Sequence, residues 1–225
     1  MPELSLKCPL CLGDETGLFS TRSDSGLGER RYFGCEECGL VFLDPEKRLN
    51  NAEEKKRYDL HRNSPEDAGY VDFLNRLAVP LSERLAAGAC GLDFGCGPGP
   101  AMSGLMRARG FASEDYDPLY RPDTALLNQS YDFITCTEVA EHLFQPGEVF
   151  VLLDRLLKPG GFLGVMTGLL EEEQDFEAWW YAKDPTHVSF YRRRSLEWIA
   201  KKHHWQVNYP ASNVVFFHKN GIQAV

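Results

Sequence analysis

A mostly parallel α/β sheet with helices on both faces, preceded by a small cysteine-rich module, is the fold predicted by this 225-residue sequence. Three observations carry that expectation. From Cys90 onward, short apolar runs alternate with amphipathic stretches, the pattern of strands and helices in a parallel sheet. A glycine loop, Gly95-Cys96-Gly97-Pro98-Gly99, follows directly on one of those runs. Near the start, two C-x2-C pairs stand 23 residues apart, Cys8 with Cys11 and Cys35 with Cys38.

The cysteine pairs come first in the chain. Two residues between cysteines let one tight turn aim both sulfurs at the same ion, and two such knuckles make a closed tetrahedral thiolate site. Pro9 lies inside the first knuckle and Gly39 just after the second, both turn formers. Short strands are expected between the pairs around a polar tip at 23–29, with the apolar Leu40, Val41 and Phe42 after them. Residues 1–44 resemble a zinc ribbon. Zinc is the expected structural ion, and iron is compatible with the same four thiolates. The module holds four basic and eight acidic side chains, so it is expected to buttress the neighbouring domain or gate substrate rather than grip nucleic acid. Cys90, Cys96 and Cys136 lie in or beside strand-like stretches and are expected to be small core residues.

Residues 45–87 read as a linker with N-terminal helices. The charged stretch 45–63 shows no clear stripe except around Tyr58 and Leu60. Ser64-Pro65-Glu66-Asp67 offers a capping serine, a first-turn proline and acids facing the helix dipole. Tyr70, Phe73, Leu74 and Leu77 follow at helical spacing, and Pro80 is expected to kink or restart that helix.

Residues 88–225 carry the main domain. Strands are expected at 90–94, ending near Tyr116, at 131–136 and at 162–167. Helices are expected at 100–109, 146–157 and 195–205, before a closing antiparallel pair at the C-terminal end. Glycines let the loop after Phe94 turn sharply and approach a ligand closely, while the following helix points its N-terminus at that ligand. Pro98 and Pro100 break the G-x-G-x-x-G spacing of a nicotinamide-type fingerprint.

The stretch Asp93-Phe94-Gly95-Cys96-Gly97-Pro98-Gly99 resembles the first motif of class I S-adenosylmethionine-dependent methyltransferases. Tyr116-Asp117-Pro118 resembles their acidic second motif. Residues 131–143 (YDFITCTEVAEHL) are similar to the fourth-strand motif of the ubiquinone-methyltransferase-like branch, and 157–167 (LKPGGFLGVMT) to the turn and strand that follow. The resemblance implies a Rossmann-like sheet with a C-terminal antiparallel hairpin, and S-adenosylmethionine as cofactor. It implies that Asp93 serves the amino end of the methionine moiety and that the Gly95–Gly99 backbone passes close to the cofactor. Asp117 would hold the ribose, with Tyr116 and Pro118 beside the adenine. Thr135, Cys136 and Thr137 would line the methionine side. Only 12 residues separate Pro118 from Tyr131, so the third strand is expected to be missing or vestigial. The residue that caps adenine from that strand cannot be carried over. Asp123, Ala125 and Leu126 are candidates by position alone.

For chemistry, three clusters stand out. Glu138, Glu141 and His142 are expected to share a helix face, and some relatives with an EVxEH motif use these residues as metal ligands. An insertion at 175–196 brings Trp179, Trp180, Tyr181, Phe190 and Tyr191, expected as an aromatic surface where ligands bind. Within it His187, beside Asp184, is the preferred base or substrate-positioning residue. Tyr58, with His61 and Arg62, could fold over the cofactor as a lid.

The formal charge of −9 makes nucleic acid an unexpected partner, although Arg192, Arg193 and Arg194 form a local basic run. No apolar run approaches a membrane span, and MPELSLKCPLC lacks the features of a signal peptide. The expectation is a cytoplasmic methyltransferase acting on a small molecule, with a structural zinc ribbon. The alternatives are an RNA or protein methyltransferase docking through the ribbon, or a non-catalytic S-adenosylmethionine-binding interaction protein. The sequence leaves the oligomeric state open.

Overall fold

A computed structural model describes residues 6–24, 26–60 and 66–221. The described residues form two sheets. The smaller is antiparallel and takes β1 (Thr16–Asp24), β2 (Gly28–Cys35), β3 (Val41–Leu43) and a two-residue strand from far downstream, β8 (Ser189–Phe190), in the order β1-β2-β3-β8. The larger contains β4 (Cys90–Phe94), β5 (Ala112–Tyr116), β6 (Tyr131–Thr137), β7 (Leu157–Met166), β9 (Trp205–Ala211) and β10 (Val214–Lys219). Its order is β5-β4-β6-β7-β10-β9, parallel from β5 to β7 and antiparallel through β10 and β9.

Helices cover both faces, as the alternating pattern requires. On one side, α2 (Ala68–Ser82) and α3 (Ala101–Ala108) bury Leu74, Leu77, Leu81, Met102 and Met106 against Phe133, Met166 and Phe216. On the other, α4 (Pro146–Leu156) and α5 (Arg193–His203) bury Phe150, Leu153, Leu196 and Ile199 against Ile134, Leu163, Val165 and Phe217. A shorter helix, α1 (Asn51–Tyr58), opens with a capping box between Asn50 and Glu53. The expected gap in the topology is present. Between β5 and β6 the chain makes an Asp117–Arg121 bridge and a 3-10 turn over Thr124–Asn128, so β5 is the sheet edge.

Two local readings shift. The cap of α2 is Asp67, whose carboxylate accepts from the backbone N–H of Gly69 and Tyr70. Ser64 and Pro65, read as the helix start, lie outside the described residues. Pro80 neither ends nor restarts α2. It sits within a helix that continues to Ser82, in its last turn, where few residues remain to be disturbed.

The ribbon packs on the α4/α5 face, and its buried Cys8, Leu10, Phe33 and Phe42 are continuous with the core around Phe150 and Tyr191. The backbone N–H of Gly147 donates to the Pro9 carbonyl at 3.1 Å. Arg194 donates to the carbonyls of Glu36 and Glu37, and the Arg192 guanidinium lies over the Phe19 ring. Two of the three consecutive arginines therefore hold the ribbon. Phe19 and Arg192 pair across the same contact that the sequence separates by most of the chain.

Gly147 is placed where a Cβ would sit 2.5 Å from the Leu10 carbonyl oxygen, whereas Gly104 in α3 has nothing within 4 Å. Gly147→Ala is expected to lower unfolding free energy by about 1–3 kcal/mol through forced displacement of the ribbon. Gly104→Ala is expected to raise it by about 0.5–1 kcal/mol. Denaturant unfolding of both variants checks the pair, and equal effects would contradict a tightly docked ribbon.

Candidate functional site

A cavity of about 820 Å³ opens at the C-terminal ends of β4, β5 and β6. This is the edge at which parallel α/β sheets bind ligands. Its first half is made by the glycine loop. The backbone N–H groups of Gly95 and Cys96 donate to the Tyr116 carbonyl at 2.7 and 3.1 Å, tying the loop to the end of β5. Gly95 has φ +79°, and a Cβ there would lie 2.4 Å from Val139 Cγ2. Gly97 has φ +65°, and its N–H donates to Asp117 Oδ2 at 3.0 Å. The other Asp117 oxygen accepts from the N–H groups of Leu119 and Tyr120. The loop thus runs along the cavity wall, with Gly95, Gly97 and Gly99 lining it beside Cys96 and Pro98.

Asp93 is buried and accepts from Thr135 Oγ1 at 2.8 Å. Burial pushes its carboxyl up to about 7 despite that hydrogen bond. Of the sequence-predicted cofactor residues, Asp93, Phe94, Gly95, Cys96, Gly97, Gly99, Tyr116, Asp117, Pro118 and Thr137 line the cavity. Thr135 and Cys136 do not reach it. Thr135 is fully buried behind Asp93, and Cys136 faces the α4/α5 core. Of the three cysteines expected in the core, only Cys136 is there, for Cys90 is exposed and Cys96 borders the cavity. Asp123 and Leu126 line a separate, shallower depression with Glu114 and Arg121, and Ala125 lines neither. Leu119 and Tyr120 take the place beside Asp117 instead.

The second half of the cavity comes from elements outside the sheet. Asn51, Glu54 and Tyr58 project from one face of α1, and Tyr70 and Phe73 from α2. Tyr58 was expected here, Tyr70 and Phe73 were expected as the packing stripe of α2, and Asn51 and Glu54 were missed, because polar residues on a short helix look like a solvated face. Tyr58 meets His142 edge to face at 5.1 Å, and His142 meets His187 at 4.7 Å. His61 and Arg62, read with Tyr58 as a lid, lie outside the described residues. Glu138, Glu141 and His142 do not share a helix face. Glu138 has φ +52° and precedes a 3-10 turn over Ala140–His142. Burial, together with Glu141 nearby, pushes the Glu138 carboxyl up to about 9.

His187 reaches the cavity, and its Nδ1 lies 2.7 Å from the Tyr181 carbonyl. A carbonyl only accepts, so Nδ1 carries the hydrogen and Nε2 the lone pair. Burial lowers the His187 pKa, keeping the ring neutral. Asp184 is not on the cavity wall. Burial acts to raise its carboxyl, but hydrogen bonds from the Thr186 side chain and backbone outweigh it and hold it at about 2. Its other oxygen accepts from Arg57 at 3.2 Å, which anchors the C-terminal end of α1.

The aromatic insertion has a different place from the one expected. Tyr181, Phe190 and Tyr191 are buried and Trp180 is exposed, and none of the five aromatics lines the cavity. Tyr181 and Phe190 join Tyr32, Val41, Leu43 and Phe176 in a satellite core between ribbon and sheet. The rings facing the cavity are Tyr58, Tyr70, Phe73, Phe94, Tyr116, Tyr120 and Phe144.

At the ribbon, Cys8 and Cys38 sulfurs are 3.5 Å apart, those of Cys11 and Cys35 3.4 Å, and all four lie within 4.8 Å of one another. A tetrahedral ion with sulfurs at ~2.3 Å separates them by ~3.8 Å, so the four thiols fit one ion. Gly13 N–H donates to the Cys11 sulfur at 3.3 Å.

The family model for the methyltransferase domain matches residues 58–208. A ubiquinone biosynthesis O-methyltransferase of Burkholderia cenocepacia is 32% identical over 136 residues, covering 50% of this chain and 53% of the relative. The chain spans about half the length of the curated relatives it matches. Among solved structures, the 1,6-didemethyltoxoflavin-N1-methyltransferase of Burkholderia thailandensis, bound to 1,6-didemethyltoxoflavin and S-adenosylhomocysteine, aligns with a TM-score of 0.50 at 12% identity. That alignment covers 80% of this chain and 96% of the other. A methyltransferase of calicheamicin biosynthesis, in its S-adenosylhomocysteine-bound form, aligns with a TM-score of 0.50 at 15% identity over 76% of this chain and 59% of the other. At such identities the shared property is the fold.

Glu54 gives the site a pH signature. Burial pushes its carboxyl from 4.5 up to about 7, against the opposing charge of Arg48. The folded chain then holds this proton more tightly than the unfolded chain, so stability falls as pH rises from 4.5 through 7. Glu54→Gln is expected to raise the melting temperature by an amount that grows across that window and stays level above it. Melting curves across pH 4–9 check this, and a pH-independent difference would contradict it.

Proposed function

The chain belongs to the methyltransferase-domain family, and on that premise we propose that it transfers a methyl group from S-adenosylmethionine to a small-molecule acceptor. The observation that carries the reading is the continuity of the cavity. A glycine-rich loop with Asp93 and Asp117 at one end opens directly into a polar, aromatic-walled chamber at the other. The residues fit the cofactor. Its sulfonium and ammonium are cationic, and the described wall carries five acids, Glu54, Asp93, Asp117, Glu138 and Glu141, with no lysine or arginine. The Cβ that Gly95 lacks would collide with Val139. When bound, S-adenosylmethionine supplies an electrophilic methyl group on a positively charged sulfur.

In this reading Asp117 holds the ribose and Asp93 the methionine end, with Phe94, Cys96, Gly97, Gly99, Tyr116, Pro118 and Thr137 bordering the cofactor. Thr135 supports Asp93 from behind. The acceptor lies between α1, α2 and the 139–144 turn. Methyl transfer is an in-line displacement, so the chain's main task is to align the nucleophile and exclude water. Tyr58, Tyr70 and Phe73 wall off solvent. His187, neutral and with its lone pair at Nε2, positions the acceptor or takes its proton. Asp184 acts at one remove by anchoring α1 through Arg57. A wall with no lysine or arginine among the described residues suits a neutral acceptor better than an anionic one.

Cys8, Cys11, Cys35 and Cys38 hold a structural zinc in residues 1–44. Residues 45–87 lead into the S-adenosylmethionine-binding domain of 88–225. A reducing cytoplasm is the compartment that keeps such thiolates available. Among the described residues no helix is long and apolar enough to cross a membrane. Docking of RNA through the ribbon gains no support, because Arg192 and Arg194 are engaged by the ribbon itself.

Calorimetric titration with S-adenosylmethionine and S-adenosylhomocysteine tests the reading. The zinc-loaded chain is expected to bind both, and Asp117→Ala to bind about ten- to a hundred-fold more weakly, as loss of a charged hydrogen-bond acceptor requires. Circular dichroism confirms that the variant is folded. Absence of binding by the folded wild type would overturn the assignment. Binding without turnover of any acceptor would favour the non-catalytic alternative.

A further inference from the structure

The short helix α1 turns a carboxylate, not an apolar residue, toward the rest of the protein. Of its residues, NAEEKKRY, Glu54 alone is buried, at 9% exposure. It lines the cavity together with Asn51 and Tyr58, which flank it on the same helix face. A buried charge-bearing group on an otherwise solvated helix calls for a partner. We propose that Glu54 docks an ammonium group, so that the acceptor is a small amine-bearing molecule whose methylated atom lies elsewhere.

Three features point to such a ligand. First, the Glu54 carboxyl has no hydrogen-bond donor or ion-pair partner among the described residues. A buried carboxyl in that state is costly, and a donor on the ligand relieves the cost. Second, the opposing charge that acts on it, Arg48, stays out of the cavity. The Arg48 guanidinium lies over the Phe144 ring at 4.9 Å, and its Nε is buried without a hydrogen-bond partner among the described residues. Phe144 lines the cavity and Arg48 does not. Arg48 therefore offsets part of the Glu54 charge from behind the wall and leaves the carboxyl oxygens free for a ligand. Third, the rest of the wall suits a cation. Glu138 and Glu141 share it with no lysine or arginine among the described residues, and Tyr58 and Phe144 offer rings to which an ammonium is attracted. Burial keeps His187 neutral, so that ring does not repel a cation.

A neutral hydroxyl could donate to Glu54, but it would leave the acidic wall uncompensated. An ammonium both donates and balances charge, which makes the stronger hydrogen bond. An ammonium nitrogen has no lone pair, so the nitrogen held at Glu54 is a handle and not the nucleophile. The nucleophile is a second group of the same molecule. The rings of Tyr58, His142 and His187, in contact in that order, lead from the handle toward it. That this ligand is the methyl acceptor rests on the methyltransferase reading; the ammonium pocket does not.

The test is calorimetric titration of the full, zinc-loaded chain at pH 7, with and without S-adenosylhomocysteine. The probes are phenethylamine, 2-phenylethanol and phenylacetate, which present one ring with an ammonium, a hydroxyl or a carboxylate. Phenethylamine is expected to bind about ten-fold or more tightly than 2-phenylethanol, and phenylacetate most weakly. In Glu54→Gln the amine should fall to the affinity of the alcohol, while the alcohol changes by less than about two-fold. In the free chain the Glu54 carboxyl is pushed up to about 7, so an ammonium that holds it ionised expels a proton near neutral pH. Arg48, Tyr58, Glu138, Glu141, His142 and His187 surround the same chamber, so proton release is read as wild type minus Glu54→Gln, in two buffers of different ionisation enthalpy. The wild-type probe series keeps the test valid should the variant fail to fold. Equal wild-type affinity for amine and alcohol, no binding of the amine, a preference that survives in Glu54→Gln, or equal proton release in both proteins would each overturn the proposal. Binding of S-adenosylhomocysteine without an amine preference sinks only the ammonium pocket. An amine preference without S-adenosylhomocysteine binding sinks only the methyltransferase reading.

Discussion

Two backbone hydrogen bonds on a single residue join the ribbon to the chemistry. The N–H of Leu43, at the end of β3, donates to the carbonyl of Val188 at 2.9 Å, and the N–H of Val188 donates to the carbonyl of Glu141 at 2.8 Å. The β3–β8 pairing, Val41 opposite Phe190 and Phe42 opposite Ser189, extends the same ladder. Val188 is buried, so neither bond can be traded for one to water without penalty. This ladder places His187 against Glu141 and His142. Ser189 Oγ donating to Leu143 and Tyr191 OH donating to Ala140 fasten the same turn from two further points.

The cavity consequently has two builders. The end proposed for the cofactor belongs to the parallel sheet, where Gly95, Gly97 and Asp117 are set by the ends of β4 and β5. The end proposed for the acceptor belongs to parts that the sheet does not contain: α1, the start of α2, the 139–144 turn and the ribbon-held segment 187–190. With no third strand between β5 and β6, Leu119 and Tyr120, whose N–H groups are bound by Asp117, stand next to Asp117 at the sheet edge.

Much of the sheet was legible because its signals are local. The strand at Cys90–Phe94, the glycine turn and the amphipathic α4 each declare themselves within a dozen residues. The short interval from Pro118 to Tyr131 correctly announced a missing strand by length alone. The cysteine spacing likewise located a four-sulfur site. The misplaced aromatics show what local signals omit. Phe190 packs against Tyr32 and Phe176, and nothing near residue 190 in sequence reveals that one of its neighbours is Tyr32, far upstream. Strand alternation could have separated Cys136 from Thr135 and Thr137, since successive side chains face opposite sides. It could not have shown that Thr135 stops one layer short of the cavity, behind Asp93. Asn51 and Glu54 were invisible for a different reason. A polar residue facing a polar cavity and one facing water have the same sequence signature.

The central claim, that the ribbon builds the acceptor end of a cavity whose cofactor end stands without it, is tested most directly by hydrogen–deuterium exchange on the zinc-loaded and chelator-stripped chain. The account expects stripping to expose not only the ribbon amides but also those of 139–143 and 187–191, while 90–97 and 112–117 keep their protection. Exchange that rises only within residues 6–44 would contradict it, and so would an equal loss of protection at both ends of the cavity.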